Sequence, residues 1–421
     1  MMRRGEGGRR VTAVAALALL LTIVACGRGP APTAPGDFYR ELARPEVWKP
    51  VPHQQAELLG LEPGDLLLSY NGEPVLTNAD VVTAQERATR GQSVIITVLR
   101  DGRELSFEVE PGPIGVLPVA MRRPSSLAAA LTDIMRSLGL FADYDWLAAL
   151  TGESFTLAAA DEECRAWWPS GTAGLYLDDL ALMTGLDLHP VYLLEEGGDA
   201  LAAVRDALEA GYPVLVRGGW PMPRAGFWGV ATRFDPEEGE RGLLFGYTLD
   251  SAEEQPLTGG IVEAYVVRPG MGWDDLDDVL ALVLTQALEL GLGRTDFGWR
   301  TGLQAYDELI TGLDTVPFCP VCGPEESPVC FERLAWSMVA HKESAVRFLE
   351  AMREVVPEEA VLVDEIVGDL RAQIGKLDGI LRSNTRIGLL EDQRRIAMAL
   401  AEVQVIENDL LGLYEQLLGR L

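Results

Sequence analysis

One helix and three short strands follow each other over residues 201–251, and this order constrains the fold more than any other feature of the sequence. Apolar residues at helical spacing over 201–210 predict a helix, which Gly211-Tyr212-Pro213 ends. The three strands are predicted at residues 214–216, 228–234 and 243–249. The last two are joined by a charged turn, so the stretch predicts an antiparallel sheet beside a helix and an α+β unit around it.

The same stretch resembles papain-like peptidases of the C39 type, through the helix, GYPVLV, a strand that ends in Phe-Asp and a strand that ends in Asp. The wider region resembles the N-terminal domain of butirosin biosynthesis protein H and its relatives. The resemblance implies a Cys that begins a helix, a His that begins the second strand and an Asp that ends the third. In this chain Ser125 and Ser126 occupy the first position, Phe227 the second and Asp250 the third.

Phenylalanine cannot serve as the base of a catalytic pair, because it neither accepts nor returns a proton. We therefore expect a degenerate papain-like domain over residues 121–270, with no catalytic residues, that holds a peptide or small ligand. Ser is also a preferred helix N-cap, which explains Ser125 or Ser126 without any chemistry. The alternative is a hydrolase or acyltransferase with Ser126 or Cys164 as nucleophile, assisted by Asp250.

The N-terminus has the pattern of an export signal. Four Arg in the first ten residues precede an apolar run over residues 11–25, which is short for a membrane-spanning helix. The run ends in Leu-Thr-Ile-Val-Ala before Cys26 and resembles the bacterial lipobox. The resemblance implies removal of residues 1–25, lipidation of Cys26 and an extracytoplasmic, membrane-anchored protein. An ordinary signal peptide with a chance Cys is the alternative. Gly and Pro predict a flexible tether over residues 26–43.

A second resemblance lies in residues 56–112. The sequence GLEPGDLLLSYNGEPV resembles the bacterial PDZ signature, and Asn71-Gly72 and Asp101-Gly102 are hairpin turn signals. The resemblance implies a small β-rich PDZ domain, which we place at residues 44–120. Domains of this kind bind peptide or protein termini by adding the ligand as a strand to a sheet edge.

The residues that would bind the peptide follow the signature. The segment Gly112-Pro113-Ile114-Gly115-Val116-Leu117 predicts a permuted strand order, with a carboxylate loop at 113–116 and an edge strand at 116–119. Ile114, Gly115, Val116 and Leu117 are therefore the candidate peptide-binding residues. The alternative is a simple linker to the next domain. Pro113 has no N–H group, which argues against the binding interpretation.

Residues 271–421 predict a helical region. Amphipathic patterns occur at 273–292, 301–313, 332–356, 358–381 and 390–418. They favour a bundle packed on the papain-like domain, with a coiled-coil hairpin of the last two helices as the alternative.

Cys319, Cys322 and Cys330 form a C-x2-C-x7-C cluster. An exported protein is in an oxidising environment, which favours disulfides. The four Cys that remain after lipidation of Cys26 are an even number, as disulfide pairing requires. A zinc site with His341 or Cys164 as fourth ligand and reduced thiols are the alternatives, and no cofactor is expected.

The chain is strongly acidic, with a net charge of −29. This charge argues against nucleic acid as a partner, because phosphates are bound by Lys and Arg. It also argues against electrostatic attraction to anionic lipid, so we expect any membrane contact to come from the lipid anchor.

Overall fold

Twelve helices and fourteen strands are present in the residues that the structure, a computed structural model, describes. These residues are 33–89, 91–155, 157–160, 176–191, 199–222, 224–238, 242–249, 251–272, 275–293, 299–315, 323–383 and 390–421. The helices are α1 (Asp37–Leu42), α2 (Gln55–Leu58), α3 (Asn78–Arg87), α4 (Ser126–Ser137), α5 (Tyr144–Leu150), α6 (Leu177–Thr184), α7 (Asp199–Glu209), α8 (Leu276–Gly291), α9 (Gly302–Thr315), α10 (Gly323–Met352), α11 (Ala360–Arg382) and α12 (Leu390–Leu418). The strands are β1 (Val47–Pro50), β2 (Leu66–Tyr70), β3 (Glu73–Pro74), β4 (Val94–Arg100), β5 (Arg103–Val109), β6 (Val116–Pro118), β7 (Ala158–Ala160), β8 (Leu186–Pro190), β9 (Val214–Gly218), β10 (Trp228–Asp235), β11 (Leu243–Thr248), β12 (Gln255–Pro256), β13 (Ile261–Pro269) and β14 (Trp299–Thr301).

Residues 45–118 form what we call the small β unit. Its sheet has the strand order β3-β2-β4-β5, and β1 pairs with β6 in a separate antiparallel ribbon. Asn71 and Asp101 have positive φ values of 53° and 50°, as the Asn-Gly and Asp-Gly turn signals predict. Helix α3 begins with a capping box in which the Thr77 side chain and Asp80 cap each other's backbone N–H. Thr77 is therefore the N-cap of this helix.

The small β unit is inserted into the rest of the chain. Helix α1, which precedes it, packs against α4, which follows it, and Phe38, Tyr39 and Leu42 are buried in the same core as α4. The two connections run side by side, since the Val119 N–H donates to the Glu46 carbonyl oxygen at 2.9 Å. The sequence places residues 37–43 in the tether, but their apolar side chains are part of a core.

The large sheet has six strands in the order β12-β11-β10-β9-β13-β8, and every neighbouring pair is antiparallel. Strands β9, β10 and β11 are the three strands that the sequence predicts, with ends that differ by one or two residues. Helix α4 packs against β10, and α7 packs against β9 and β10. The remaining partners of β9 and β8 come from β13, which the sequence pattern does not reveal.

The C-terminal helices α8 to α12 pack on each other, and all of them except α9 contribute side chains to the core that also contains the large sheet and α4. A layer of buried polar side chains lies between them. The Lys342 ammonium donates to Glu407 Oε2 at 2.7 Å and to the Phe155 carbonyl oxygen, and Gln373 donates to the same carboxylate oxygen at 2.8 Å. Both charged side chains are at most 2% exposed, so the ion pair is fully desolvated.

The architecture confirms the predicted α+β class, with a small β-rich unit and a C-terminal helical region. The helices that the sequence predicts over 125–138, 358–381 and 390–418 are present as α4, α11 and α12, with ends within two residues of the prediction. Helix α10 begins nine residues earlier than its apolar pattern suggests and contains Pro328. Among the described residues, none of the helices combines the length and apolar character that crossing a bilayer requires.

Asp133 holds the N-terminus of α1 from within the core. The Gly36 N–H donates to Asp133 Oδ2 at 2.9 Å, and Gly36 is the N-cap of α1. Asp133 is 1% exposed, and burial raises the pKa of its carboxyl to about 6. Because the folded chain binds this proton more tightly than the unfolded chain does, Asp133 favours folding below its ordinary pKa. That contribution is lost as the pH rises through 6.

We expect Asp133→Asn to remove this pH dependence, because Asn keeps an oxygen for the Gly36 N–H and does not ionise. The stability of the wild type relative to Asp133→Asn should fall by about 2–3 kcal/mol between pH 4 and pH 8. Chemical unfolding of both proteins at a series of pH values measures this difference. Asp206→Asn, at an exposed carboxylate on α7, is the control and should show no such trend. Parallel pH profiles for wild type and Asp133→Asn would contradict the assignment.

Candidate functional site

The loop before β6 combines two glycines of positive φ with two N–H groups that have no acceptor among the described residues. Gly112 and Gly115 have positive φ values of 117° and 78°. The N–H groups of Ile114 and Gly115 donate to no acceptor in the part of the chain that the structure describes. The Ile114 carbonyl oxygen accepts the Ala56 N–H at 2.7 Å and fixes the loop on α2. Two neighbouring unpaired N–H groups of this kind can hold a carboxylate.

Strand β6 is paired along one edge only. It pairs with β1, and the Val51 N–H donates to the Gly115 carbonyl oxygen at 2.7 Å. Because backbone groups alternate along a strand, Val116 directs its N–H and C=O away from β1. No other strand pairs with this edge among the described residues. Pro118 ends the donor row, since it has no N–H.

The four candidate peptide-binding residues are structural parts of the small β unit. Ile114 is fully buried in its core and Val116 packs against the same core, so residues 112–118 are not a simple linker. The Leu117 side chain points to the opposite side of the ribbon and is buried with Trp48 against the helical region. Leu117 therefore offers a ligand neither its side chain nor its backbone groups, because the latter alternate with those of Val116 and face β1.

Ser125 and Ser126 begin α4, as expected, and lie against the start of β10. Ser125 is the N-cap, because its Oγ accepts the Ala128 N–H at 3.2 Å. The Trp228 N–H donates to Ser126 Oγ at 3.2 Å. Trp228 follows Phe227, so the helix position and the strand position that the resemblance pairs are adjacent in space. Asp250 lies outside the described residues, two positions after Thr248, which pairs with Gly229.

A buried carboxylate contacts the first of these serines. The Ser125 hydroxyl donates to Glu153 Oε2 at 2.6 Å, and the Ser125 N–H donates to the Tyr144 hydroxyl oxygen at 2.8 Å. Burial raises the pKa of Tyr144 well above its ordinary value. Ser125 is 1% and Ser126 7% exposed. Both hydroxyl groups at this helix end are therefore buried and hydrogen-bonded within the core of the described residues.

One of the three histidines, His189, lies away from Ser126. His189 is on β8, three strand positions from β10, which is roughly 14 Å at the usual spacing, and its Nε2 lies 2.8 Å from Asp187. His53 Nε2 lies 3.0 Å from the Arg382 carbonyl oxygen. His341 is buried on α10, and burial lowers its pKa to about 3.

Most of the cysteines for which the sequence makes predictions lie outside the residues that the structure describes. Cys26, Cys164, Cys319 and Cys322 are among these, so the lipidation site, the alternative nucleophile and the disulfide or zinc cluster stay predictions. Cys330 is described and is buried on α10 beside Leu334. Within the described residues, no group of three or more His, Cys, Asp or Glu is arranged to hold a metal ion.

The sequence analysis did not identify Glu153 or Tyr144 as partners of this helix end. Glu153 lies 28 residues from Ser125, and no local spacing connects them. The only available signal was the segment GESF, which the resemblance to the butirosin protein H relatives covers.

The small β unit is a PDZ domain, since residues 47–100 match the PDZ domain family. The chain is also similar to the magnetosome formation protease MamE of Paramagnetospirillum magneticum strain AMB-1, with 35% identity over 74 residues. This match covers 18% of the chain and 10% of MamE, so the chain spans about a tenth of that relative. The match to the PDZ family ends at Arg100, before the loop and β6.

We expect Ser125→Ala to destabilise the protein, because it removes the helix cap and leaves the Glu153 carboxylate without this donor. The loss should be about 2–4 kcal/mol, seen as a lower urea midpoint. Ser137→Ala, at the other end of α4, is the matched control and should cost less than about 1 kcal/mol. Equal midpoints for the two variants would show that the Ser125–Glu153 contact does not stabilise this site.

Proposed function

We propose that this chain is a membrane-anchored, extracytoplasmic binding protein. The PDZ domain captures the C-terminus of a peptide or protein, and the large sheet with α4 forms a papain-like domain that holds a peptide or small ligand without cleaving it. The lipid on Cys26 supplies the membrane contact. Nucleic acid is not a partner, and the chain needs no cofactor for this function.

The unpaired edge of β6 is the observation that carries the proposal. Two adjacent N–H groups at Ile114 and Gly115 are available for a terminal carboxylate, and Val116 offers the next donor and acceptor along the strand. A ligand whose C-terminus sits at Gly115 would run antiparallel to β6. Main-chain bonds of this kind bind a terminus largely independently of its sequence, and neighbouring side chains then select among termini.

Binding without cleavage agrees with the state of the two serines. A serine nucleophile needs a base within hydrogen-bond reach and an exposed Oγ. Ser125 caps the helix and donates to Glu153, and Ser126 accepts the Trp228 N–H. The opposing function is a hydrolase or acyltransferase that uses Ser126 or Cys164 with Asp250. Stoichiometric labelling of one of these residues by a fluorophosphonate or iodoacetamide, blocked by mutation of Asp250, would establish it.

The carboxylate loop is tested with ten-residue peptides displayed with free C-termini and selected on residues 27–421. A selected peptide should bind at least tenfold more weakly when its C-terminus is amidated. Gly115→Ala should lower affinity at least tenfold, because the new Cβ would lie 2.1 Å from Gln54 Cβ and φ is +78°. Fluorescence polarisation with labelled peptide measures both effects.

Gly102→Ala is the matched control for Gly115→Ala. Gly102 also has a positive φ, +76°, but a Cβ there meets nothing within 4 Å and the turn lies at the far end of β4 and β5. Its affinity should stay within twofold of the wild type. Equal binding of free and amidated peptides would refute the carboxylate loop, whatever the stability of the variants.

We expect Cys26→Ser to move the protein from the membrane fraction to the soluble fraction, because the serine cannot carry the thioether-linked lipid. Fractionation of cells that express wild type or variant, followed by immunoblotting, measures the shift. Retention of the variant in the membrane fraction would contradict the anchor.

A further inference from the structure

Residues 51–57, which we call the support segment, are hydrogen-bonded to the carboxylate loop. The Val51 N–H donates to the Gly115 carbonyl oxygen at 2.7 Å, and the Ala56 N–H donates to the Ile114 carbonyl oxygen at the same distance. These bonds engage the carbonyl groups of the same two loop residues whose N–H groups we assign to a terminal carboxylate. The position of the support segment therefore sets the position of both N–H groups.

The backbone of the support segment is strained at His53. Its φ is +62°, in the left-handed region that residues with a Cβ seldom adopt. The Glu57 carboxylate stabilises this turn, since its Oε2 accepts the His53 N–H at 2.8 Å. A conformation of this kind persists only where surrounding contacts impose it. The contacts that His53 and Glu57 make outside the segment therefore determine how firmly it is held.

The end of α11 contacts both of these residues. Arg382, the last residue of α11, donates from Nη1 to Glu57 Oε1 at 3.1 Å. Its carbonyl oxygen lies 3.0 Å from His53 Nε2, and this nitrogen carries the hydrogen because a carbonyl oxygen only accepts. The last carbonyl groups of a helix have partial negative charge and no acceptor role within the helix, so a ring N–H is a favourable partner. Arg382 thus connects the helical region to the support segment through its side chain and its backbone.

We propose that Arg382 is a positioning residue for peptide binding, which acts by clamping the support segment so that the carboxylate loop keeps its binding conformation. The clamp consists of the contacts of Arg382 with Glu57 and His53. It lies at the end of the β1–β6 ribbon opposite the Glu46–Val119 hydrogen bond. The inference rests on the proposed capture of a C-terminus by the PDZ domain, and it places control of that site in the helical region. By linkage, a ligand that favours the clamped loop also strengthens the clamp.

Peptide binding to residues 27–421 tests the clamp through Arg382→Ala, with a selected ten-residue peptide in its free and its amidated form. The variant should bind the free peptide about threefold more weakly, because an exposed ion pair contributes only modestly. It should bind the amidated peptide as the wild type does, because the clamp acts on the carboxylate loop. Arg382→Lys keeps the charge and should restore most of the affinity for the free peptide.

Arg420→Ala is the matched control. Arg420 is 54% exposed, as Arg382 is, and its ion pair with Glu359 at 3.0 Å lies within the helical region. Its affinity for both peptides should equal that of the wild type. His53→Asn tests the clamp from its other side, because Asn tolerates a positive φ but is too short to reach the Arg382 carbonyl oxygen. This variant should reproduce the loss of affinity for the free peptide.

Hydrogen exchange measures the clamp without a ligand. Mass spectrometry of a fragment that covers the support segment should show faster exchange in Arg382→Ala than in the wild type, and no change in Arg420→Ala. Unchanged exchange with unchanged affinity would overturn the inference alone. Equal weakening of the free and amidated peptides would assign Arg382 to the stability of the PDZ domain, which also overturns the inference and leaves the proposed function intact. Faster exchange without any carboxylate-dependent peptide would overturn the proposed function and the positioning role with it.

Discussion

The ribbon of β1 and β6 is the element on which the arrangement of the whole molecule depends. Its alternating side chains belong to two different cores, because Val47 and Val116 face the PDZ domain while Trp48 and Leu117 face the helical region. The two chain connections of the inserted domain meet at its end, through the Glu46–Val119 hydrogen bond. A ligand that pairs with β6, as we propose, would bind an element that is shared by two cores.

Further contacts fix the ribbon on the helices. The Lys49 ammonium pairs with Glu343 at 2.7 Å and lies over the rings of Trp48 and Trp336. Deeper in the helical region, Lys342 joins α10 to Glu407 and to the Phe155 carbonyl oxygen. Phe155 closes the turn that also carries Glu153, the partner of Ser125. The buried ion pair thus positions the turn on which the start of α4 relies, and loss of one partner from such a pair typically costs about 3–5 kcal/mol.

Local signals in the sequence account for much of this fold, and distant pairings account for the rest. The hairpin turns at Asn71 and Asp101 and the cap at Ser125 were predictable, because each depends on residues within a few positions. The pairing of β1 with β6 joins segments nearly 70 residues apart, and the partners of β9 include β13, so no periodicity reveals them. Helix α1 has six residues, and its burial depends on α4, about 90 residues later. Glu153 and Arg123 were not predicted, because their contacts also join segments that are far apart in the sequence.

Two buried charges of opposite sign hold α1 without pairing with each other. Asp133 binds its N-terminus through Gly36, and Arg123 lies over Phe38 in its first turn. Burial disfavours the charged form of each side chain. Helix α1 is therefore docked by two groups whose charged forms would be more stable in water or beside an ion of opposite charge. Helix α1 lies at the C-terminal end of the segment that the sequence predicts as a tether, and its own end contacts the start of α3, so it links this segment to the PDZ domain and to α4.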